Sequence, residues 1–87
     1  MRAFRLLVDF EAVLFIERLP QGVRNAIRSR LGQIRESPTS RSDYFEHDLI
    51  GRRVEINICD GFAIKYWIDQ ADRQIKVLDI HPADMNR

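Results

Sequence analysis

The second half of the chain alternates apolar and polar side chains with a period of two residues, which predicts β-strands. The alternation runs over Arg53–Cys59 and again over Phe62–Asp69, and a strand places successive side chains on opposite faces of its sheet. Between the two runs stand Asp60 and Gly61, a pair that favours a tight hairpin turn because both residues tolerate positive φ. A third run, Gln74–His81, is apolar in part on both faces and predicts an interior strand. The three runs therefore predict an antiparallel meander.

The first half of the chain begins with a similar alternation over Phe4–Phe10 and then changes to helical spacing. Asp9 is suited to cap a helix over Phe10–Leu19. Pro20 disfavours helix in the residue before it and suits the start of a second helix, which we expect over Gln21–Glu36. The apolar positions form one stripe on each helix: Ala12, Phe15, Ile16 and Leu19 on the first, and Val23, Ala26, Ile27, Leu31 and Ile34 on the second.

These elements define an α+β fold. We expect an N-terminal strand, a helical hairpin and a three-strand antiparallel meander, with both helices packed on one face of a sheet of about four strands. The first strand should pair beside the last. The stretch Tyr44–Leu49 fits either a short edge strand or a loop. At 87 residues, the chain has the length of one domain, 1–87, with one modest core.

Composition narrows the classes of function. The net charge is +1, which gives no overall field to attract nucleic acid. The basic residues are twelve arginines and two lysines, and arginine suits both phosphate binding and ordinary ion pairs. Cys59 is the single cysteine, and the two histidines have unrelated spacings, so we expect neither a disulfide nor a metal site. No run is apolar enough to span a membrane, and we see no secretion signal. The single cysteine, which cannot form an internal disulfide, fits a reducing compartment, and we expect a cytoplasmic protein.

Several residues could bind phosphate or a base. Arg24, Arg28 and Arg35 form a narrow stripe on the second helix, which could contact phosphates or could simply be its solvated face. Arg30 falls inside the apolar stripe. There it could extend its guanidinium to the surface, pair with a buried carboxylate or mark a face left open for a partner. Trp67 shares a strand face with Lys65 and Ala63, and it could stack on bases or cover the sheet.

Proton-transfer candidates are fewer. His81 ends the last strand, and histidine titrates near neutral pH, although a terminal histidine is more often a surface residue. Three acids precede the meander, where they could supply a general base or could simply be solvated: Asp43, Glu46 and Asp48.

At this point the pattern resembles the RelE/ParE superfamily of bacterial toxins. The resemblance rests on the order of elements and on the segments Glu17–Val23, Asp48–Gly51, Phe62–Asp69 and Ile75–His81, and it extends over nearly the whole chain. The layout is most similar to YoeB-type RNases, in which a carboxylate precedes a His-x-Leu-x-Gly stretch. That stretch is His47–Gly51 in this chain.

The resemblance implies a toxin of a type II toxin–antitoxin system that cuts messenger RNA on the ribosome without metal or cofactor. By position, Asp43 would be the base and His81 the acid. An arginine should follow the aromatic residue Phe62, but this chain has Ala63, and it has Pro82 where arginine or tyrosine is common. The remaining cations that could reach the phosphate are Arg52, Arg53 and Lys65.

The resemblance also leaves other functions open. The partner would be a cognate antitoxin, with the ribosome and messenger RNA as targets of the RelE-like branch. A ParE-like member would instead inhibit DNA gyrase without chemistry of its own, which suits the near-neutral charge and the missing arginine. A third alternative is a degenerate, non-toxic interaction module or homodimer.

Overall fold

The computed structural model of the protein describes residues 4–83. The start of the chain, on which the expectation of no secretion signal rests, lies outside this range. Two helices and five strands follow in the order β1 (Arg5–Val8), α1 (Phe10–Glu17), α2 (Gln21–Glu36), β2 (Tyr44–His47), β3 (Arg53–Cys59), β4 (Phe62–Asp69) and β5 (Gln74–Pro82). The α+β class is thus confirmed.

The five strands form one mixed sheet in the order β1-β5-β4-β3-β2. The meander β3-β4-β5 is antiparallel, and β1 pairs in parallel with β5, so the predicted pairing of the first strand beside the last is confirmed. The sheet has one strand more than expected, because Tyr44–His47 forms the edge strand β2. All four residues of β2 are exposed, which explains why this strand leaves no alternation in the sequence.

Local signals fix the ends of several elements. Asp9 caps α1, where its side chain accepts a hydrogen bond of 3.1 Å from the Glu11 amide. This cap ends β1 at Val8 and makes Phe10 the first residue of the helix rather than part of the strand. The hairpin turn has positive φ at both central residues, 51° at Asp60 and 82° at Gly61, as the sequence predicts.

Both helices pack on one face of the sheet. The predicted stripes supply the helical half of the core, with Ala12, Ile16, Ile27, Leu31 and Ile34 buried. The sheet contributes Cys59, Ile64, Tyr66, Ile75, Val77 and Ile80. Residues directly opposite one another in neighbouring strands share a face, so the register shows which of the remaining strand residues face the helices and which face away from them.

An irregularity in β5 changes that assignment partway along the strand. Tyr66 lies opposite Val77, but its neighbour Lys65 lies opposite Asp79, so that Leu78 is an extra residue in β5. Such a bulge reverses the alternation beyond it. Val77 and Ile80 therefore both reach the core, although they are three positions apart, an odd number that would place them on opposite faces of a regular strand.

Candidate functional site

The side of the sheet that faces away from the helices, here called the open sheet face, carries most of the candidate chemistry. The register places on it Tyr44 and Glu46 of β2, Val54, Ile56 and Ile58 of β3, Ala63, Lys65 and Trp67 of β4, and Lys76, Asp79 and His81 of β5. The predicted shared face of Ala63, Lys65 and Trp67 is confirmed by this register.

Two cations contact the Trp67 ring on this face. The Arg52 guanidinium carbon is 4.6 Å from the centroid of the indole ring, and the Lys76 ammonium nitrogen is 4.7 Å from it. Cations at such distances are attracted to the negative face of an aromatic ring. Lys76 also forms an ion pair of 3.4 Å with Asp69, so the half-buried indole is fixed within a charged group of side chains.

Lys65 forms an ion pair across the sheet. Its ammonium nitrogen lies 2.8 Å from a carboxylate oxygen of Glu46. Because Lys65 belongs to β4 and Glu46 to β2, the pair spans the strand between them, β3. Val54 and Ile56 of that strand are buried, with 3% and 1% exposure, although α1 and α2 both pack on the other side.

Arg52 is positioned by the turn between β2 and β3. Its guanidinium Nε and its backbone amide each donate to the Asp48 carboxylate at 2.9 Å, and the Ile50 amide donates to the same group at 3.1 Å. Desolvation acts to raise the pKa of Asp48, but the two backbone hydrogen bonds and the guanidinium outweigh it and lower that pKa. The turn is thereby preorganised, and it leaves Leu49 and Ile50 fully solvated, with 105% and 82% exposure.

The two predicted proton-transfer residues lie at opposite ends of one row of paired residues that crosses β3, β4 and β5. His81 is opposite Ala63, and Ala63 is opposite Ile58, whose backbone amide donates to the Asp43 carboxylate at 2.7 Å. Two strand spacings separate Ile58 from His81, a distance of about 10 Å. Asp43 and His81 are therefore not within hydrogen-bonding distance of each other, and Asp43 already fastens the start of β2 to β3.

His81 has weak local partners. Its Nδ1 is 3.0 Å from the Pro82 carbonyl oxygen, and its Nε2 is 3.8 Å from an Asp79 carboxylate oxygen. Ala63, where the resemblance leads one to expect an arginine, is buried at the centre of the row. Lys65, two residues further along β4, is on the same face and is the cation of that strand.

The six predicted phosphate-binding residues do not form one site. Arg52 and Lys65 belong to the open sheet face, whereas Arg24, Arg28 and Arg35 lie on α2 in the helical layer. Their interactions are weak: Arg35 is 3.6 Å from Glu36, and Arg24 is 3.5 Å from the carbonyl oxygen of Glu17.

Arg53 points to the helical side, because adjacent strand residues face opposite ways. Its guanidinium carbon lies 3.7 Å from the centroid of the Phe45 ring, and its Nε donates to Glu55 at 2.7 Å. Glu55 is buried, with 6% exposure, and it also accepts a hydrogen bond of 2.6 Å from the Ser42 hydroxyl. Arg53 therefore satisfies a buried carboxylate on the side away from Arg52.

Arg30 has a polar partner, but not a carboxylate. Its guanidinium donates to the Asn57 side-chain oxygen at 3.0 Å and to the Ile58 carbonyl at 3.2 Å. Asn57 in turn donates to the Arg41 carbonyl at 2.6 Å. Of the three alternatives considered for Arg30, the observed geometry is closest to a buried polar pair. It connects α2, β3 and the segment before β2.

Two further groups bear on the chemistry. Burial raises the pKa of the Cys59 thiol, and the nearby Arg30 only partly offsets this effect, so the thiol is not activated as a nucleophile. Within residues 4–83, no group of three or more His, Cys, Asp or Glu side chains is placed to hold a metal ion. No described helix is long and apolar enough to cross a bilayer.

The Lys65–Glu46 pair and the cluster of Arg53, Phe45 and Glu55 are absent from the sequence-based prediction. The spacing of Arg53 and Glu55, two residues apart in one strand, is a signal for a same-face ion pair. Glu46 offers no such signal, because its neighbours follow from the register of a strand that the sequence does not define.

Comparison with known proteins shows which fold this is. No protein-family model matches the sequence, and no curated protein matches it significantly. Solved structures do match. A chain of the archaeal RelE–RelB complex from Pyrococcus horikoshii OT3 has a TM-score of 0.82 at 16% identity, over 98% of this chain and 100% of that chain. A chain of the toxin–antitoxin complex RelBE2 from Mycobacterium tuberculosis has a TM-score of 0.78 at 16% identity, over 97% of both chains.

A third match shows that the shared fold is that of the toxin and not that of the antitoxin. A mutant of the E. coli toxin RelE in the free state has a TM-score of 0.69 at 19% identity, over 95% of this chain and 86% of that one. Because that protein was solved without an antitoxin, the shared fold is that of the toxin. The protein has the RelE fold from one end of the described chain to the other, and the resemblance is confirmed at this level.

Proposed function

We propose that this protein is the toxin of a type II toxin–antitoxin pair and that it binds and cuts RNA on its open sheet face. The observation that carries the proposal is that Arg52, Lys65, Trp67 and His81 lie along one face of a RelE fold. We propose the cytoplasm as its site of action, messenger RNA on the ribosome as its substrate, and a RelB-like protein encoded beside it as its antitoxin.

Each of these side chains suits one part of RNA binding. Lysine and arginine neutralise backbone phosphates, and this contact makes binding salt-dependent. An indole offers a surface on which a base can stack without sequence preference. Trp67 is half-buried and has two cations over its ring, so a base that stacked there would take the place of one cation and leave both close enough to bind its phosphate.

The chemistry that we propose is attack by the ribose 2′-hydroxyl on the adjacent phosphorus. A base takes the hydroxyl proton, the new O–P bond forms, and the bond to the 5′-oxygen breaks as an acid protonates that oxygen. His81 is suited to be the acid, since histidine titrates near neutral pH. Asp43 is the predicted base. Lys65 and Arg52 would stabilise the additional charge on phosphorus in place of the arginine that Ala63 replaces.

Asp43 can be tested by separating its two roles. Asn at position 43 keeps an oxygen that can accept the Ile58 amide hydrogen bond but cannot remove a proton, whereas Ala removes both functions. If Asp43 is the base, Asp43→Asn should lower the rate of RNA cleavage about 10²–10⁴-fold while thermal unfolding changes little. If Asp43 only fastens β2, Asp43→Asn should cut RNA normally and Asp43→Ala should mainly lose stability.

The complete proposal is tested by induced expression of the protein. We expect growth arrest, new 5′ ends in messenger RNA, and loss of both effects with His81→Gln. Co-expression of the adjacent small open reading frame should restore growth. Absence of any growth effect would instead indicate a non-toxic interaction module.

A second candidate function is inhibition of a partner protein such as DNA gyrase, without chemistry. The observation that favours it is the row Ile58, Ala63 and His81, which has a buried alanine where an RNase needs a cation. In that case growth should stop with intact messages and with DNA damage, and His81→Gln should remain toxic.

A further inference from the structure

Three cations on or beside the open sheet face are each paired with a carboxylate of the same chain. Lys65 pairs with Glu46 at 2.8 Å, Arg52 with Asp48 at 2.9 Å and Lys76 with Asp69 at 3.4 Å. An RNA phosphate that approaches this face therefore meets cations already neutralised within the folded protein. Any phosphate contact must compete with one of these pairs.

The Lys65–Glu46 pair differs from the other two. Asp48 also accepts two backbone amides of its own turn, and Asp69 also accepts the amide of Asp72 at 3.2 Å. These two carboxylates therefore have structural roles within turns. Glu46 makes no other hydrogen bond that the described residues show, and its side chain is 46% exposed.

We propose that Glu46 occupies the phosphate position at Lys65 in the free protein and must leave it when RNA binds, so that Glu46 limits the affinity of the open sheet face for phosphate. This inference rests on the proposed RNA-binding role of that face. A carboxylate oxygen 2.8 Å from an ammonium nitrogen stands where a phosphate oxygen would stand. Glu46 is held on one edge strand, so its side chain can move away without disturbing the core.

The expected effect is modest, because the pair is partly exposed. Exposed ion pairs contribute about 0.2–1 kcal/mol. Removing the competing anion should therefore tighten phosphate binding by a factor of roughly 1.4 to 5. It should also make binding more sensitive to salt, since Lys65 would then neutralise a phosphate without giving up a partner. For single-stranded RNA the added slope is about 0.7 in log Kd against log salt.

The experiment compares the wild type with Glu46→Gln, Lys65→Gln and the double variant. The probes are a 2′-O-methyl RNA oligonucleotide, which cannot be cut by its own 2′-oxygen, and inorganic phosphate followed through the backbone amide NMR signals of β3 and β4, which all four proteins share. We expect Glu46→Gln to tighten both interactions and the gain to vanish in the Lys65→Gln background. Glu11→Gln, which removes the same charge from α1, is the matched control and should change neither.

Two outcomes overturn the inference. One is unchanged phosphate binding in Glu46→Gln. The other is an equal gain in affinity from Glu46→Gln when Lys65 is also replaced, since the effect of Glu46 would then be general charge repulsion of the phosphate. The cleavage and growth assays keep this result separate from the proposed function. A wild type that cuts RNA, together with an unchanged Glu46→Gln, refutes the inference alone. A wild type without toxicity, together with a Lys65-dependent gain in phosphate binding, refutes the proposed function and leaves the inference standing.

Discussion

Tyr66→Phe should destabilise the protein through one buried hydrogen bond. The Tyr66 side chain is fully buried, and its hydroxyl donates to the Pro38 carbonyl at 2.6 Å. Pro38, which is itself buried, lies between α2 and β2. Phenylalanine keeps the ring in the core but leaves that carbonyl without its donor. A buried polar group left unpaired costs about 1–3 kcal/mol, and we expect a loss of about 1–2 kcal/mol in the free energy of unfolding.

The same hydroxyl predicts a dependence on pH. Burial first, and then the nearby carboxylates of Glu55 and Asp43, raise the pKa of Tyr66 above its ordinary value. Above pH of about 10 the unfolded chain releases a phenolic proton that the folded protein retains. The folded state then binds more protons, so stability must fall as pH rises further. Tyr66→Phe should lack this contribution, and the difference between the two proteins should shrink above that pH.

Urea unfolding and thermal melting at pH 7 and at pH above 10 measure both effects. For a domain of this size, each 1 kcal/mol corresponds to about 4–8 °C in Tm. Tyr44→Phe is the matched control, because Tyr44 is 53% exposed, and it should change little. Equal stability of Tyr66→Phe and the wild type at neutral pH would refute the reasoning, since it would mean that the Pro38 carbonyl needs no donor.

Two further predictions concern stability. Gly61→Ala should lower the free energy of unfolding by about 1–2 kcal/mol, because φ at Gly61 is +82°, a conformation unfavourable for a residue with Cβ. Gly32→Ala should instead raise the free energy of unfolding by about 0.5–1 kcal/mol, because a Cβ at this position within α2 meets nothing within 4 Å. Equal effects of the two substitutions in denaturant unfolding would contradict the argument. Leu49→Ser should leave the free energy of unfolding within about 0.5 kcal/mol of the wild type, because the side chain is fully solvated; a larger loss would show that this turn packs against something.

The parts of the fold that could be predicted are those with local signals. The bounds of α2, Gln21–Glu36, follow from Pro20 before the helix and Ser37-Pro38 after it. The hairpin follows from Asp60 and Gly61. For the edge strand β2 the sequence leaves a strand and a loop as alternatives, since all its side chains are exposed and its backbone pairing with β3 decides between them.

The candidate site could be predicted only in part, for the same reason. Arg52 and Lys65 are on the predicted list, and the open sheet face does bring them together. Arg53 is also on it, but a strand turns adjacent side chains to opposite faces, so Arg53 serves Glu55 instead. The partner of Lys65 depends on the register of β2, which is a long-range property of the sheet.

The bulge at Leu78 decides which side of the sheet the following side chains of β5 face. If β5 continued from Val77 in regular register instead of bulging at Leu78, the following side chains would exchange sides, so that the imidazole of His81 would be directed at the helices and the aliphatic chain of Ile80 at solvent. The bulge thus directs the histidine to the open sheet face while Ile80 stays in the core. Deleting Leu78 should leave both side chains on their present sides, because Asp79 would then follow Val77 directly and still lie opposite Lys65.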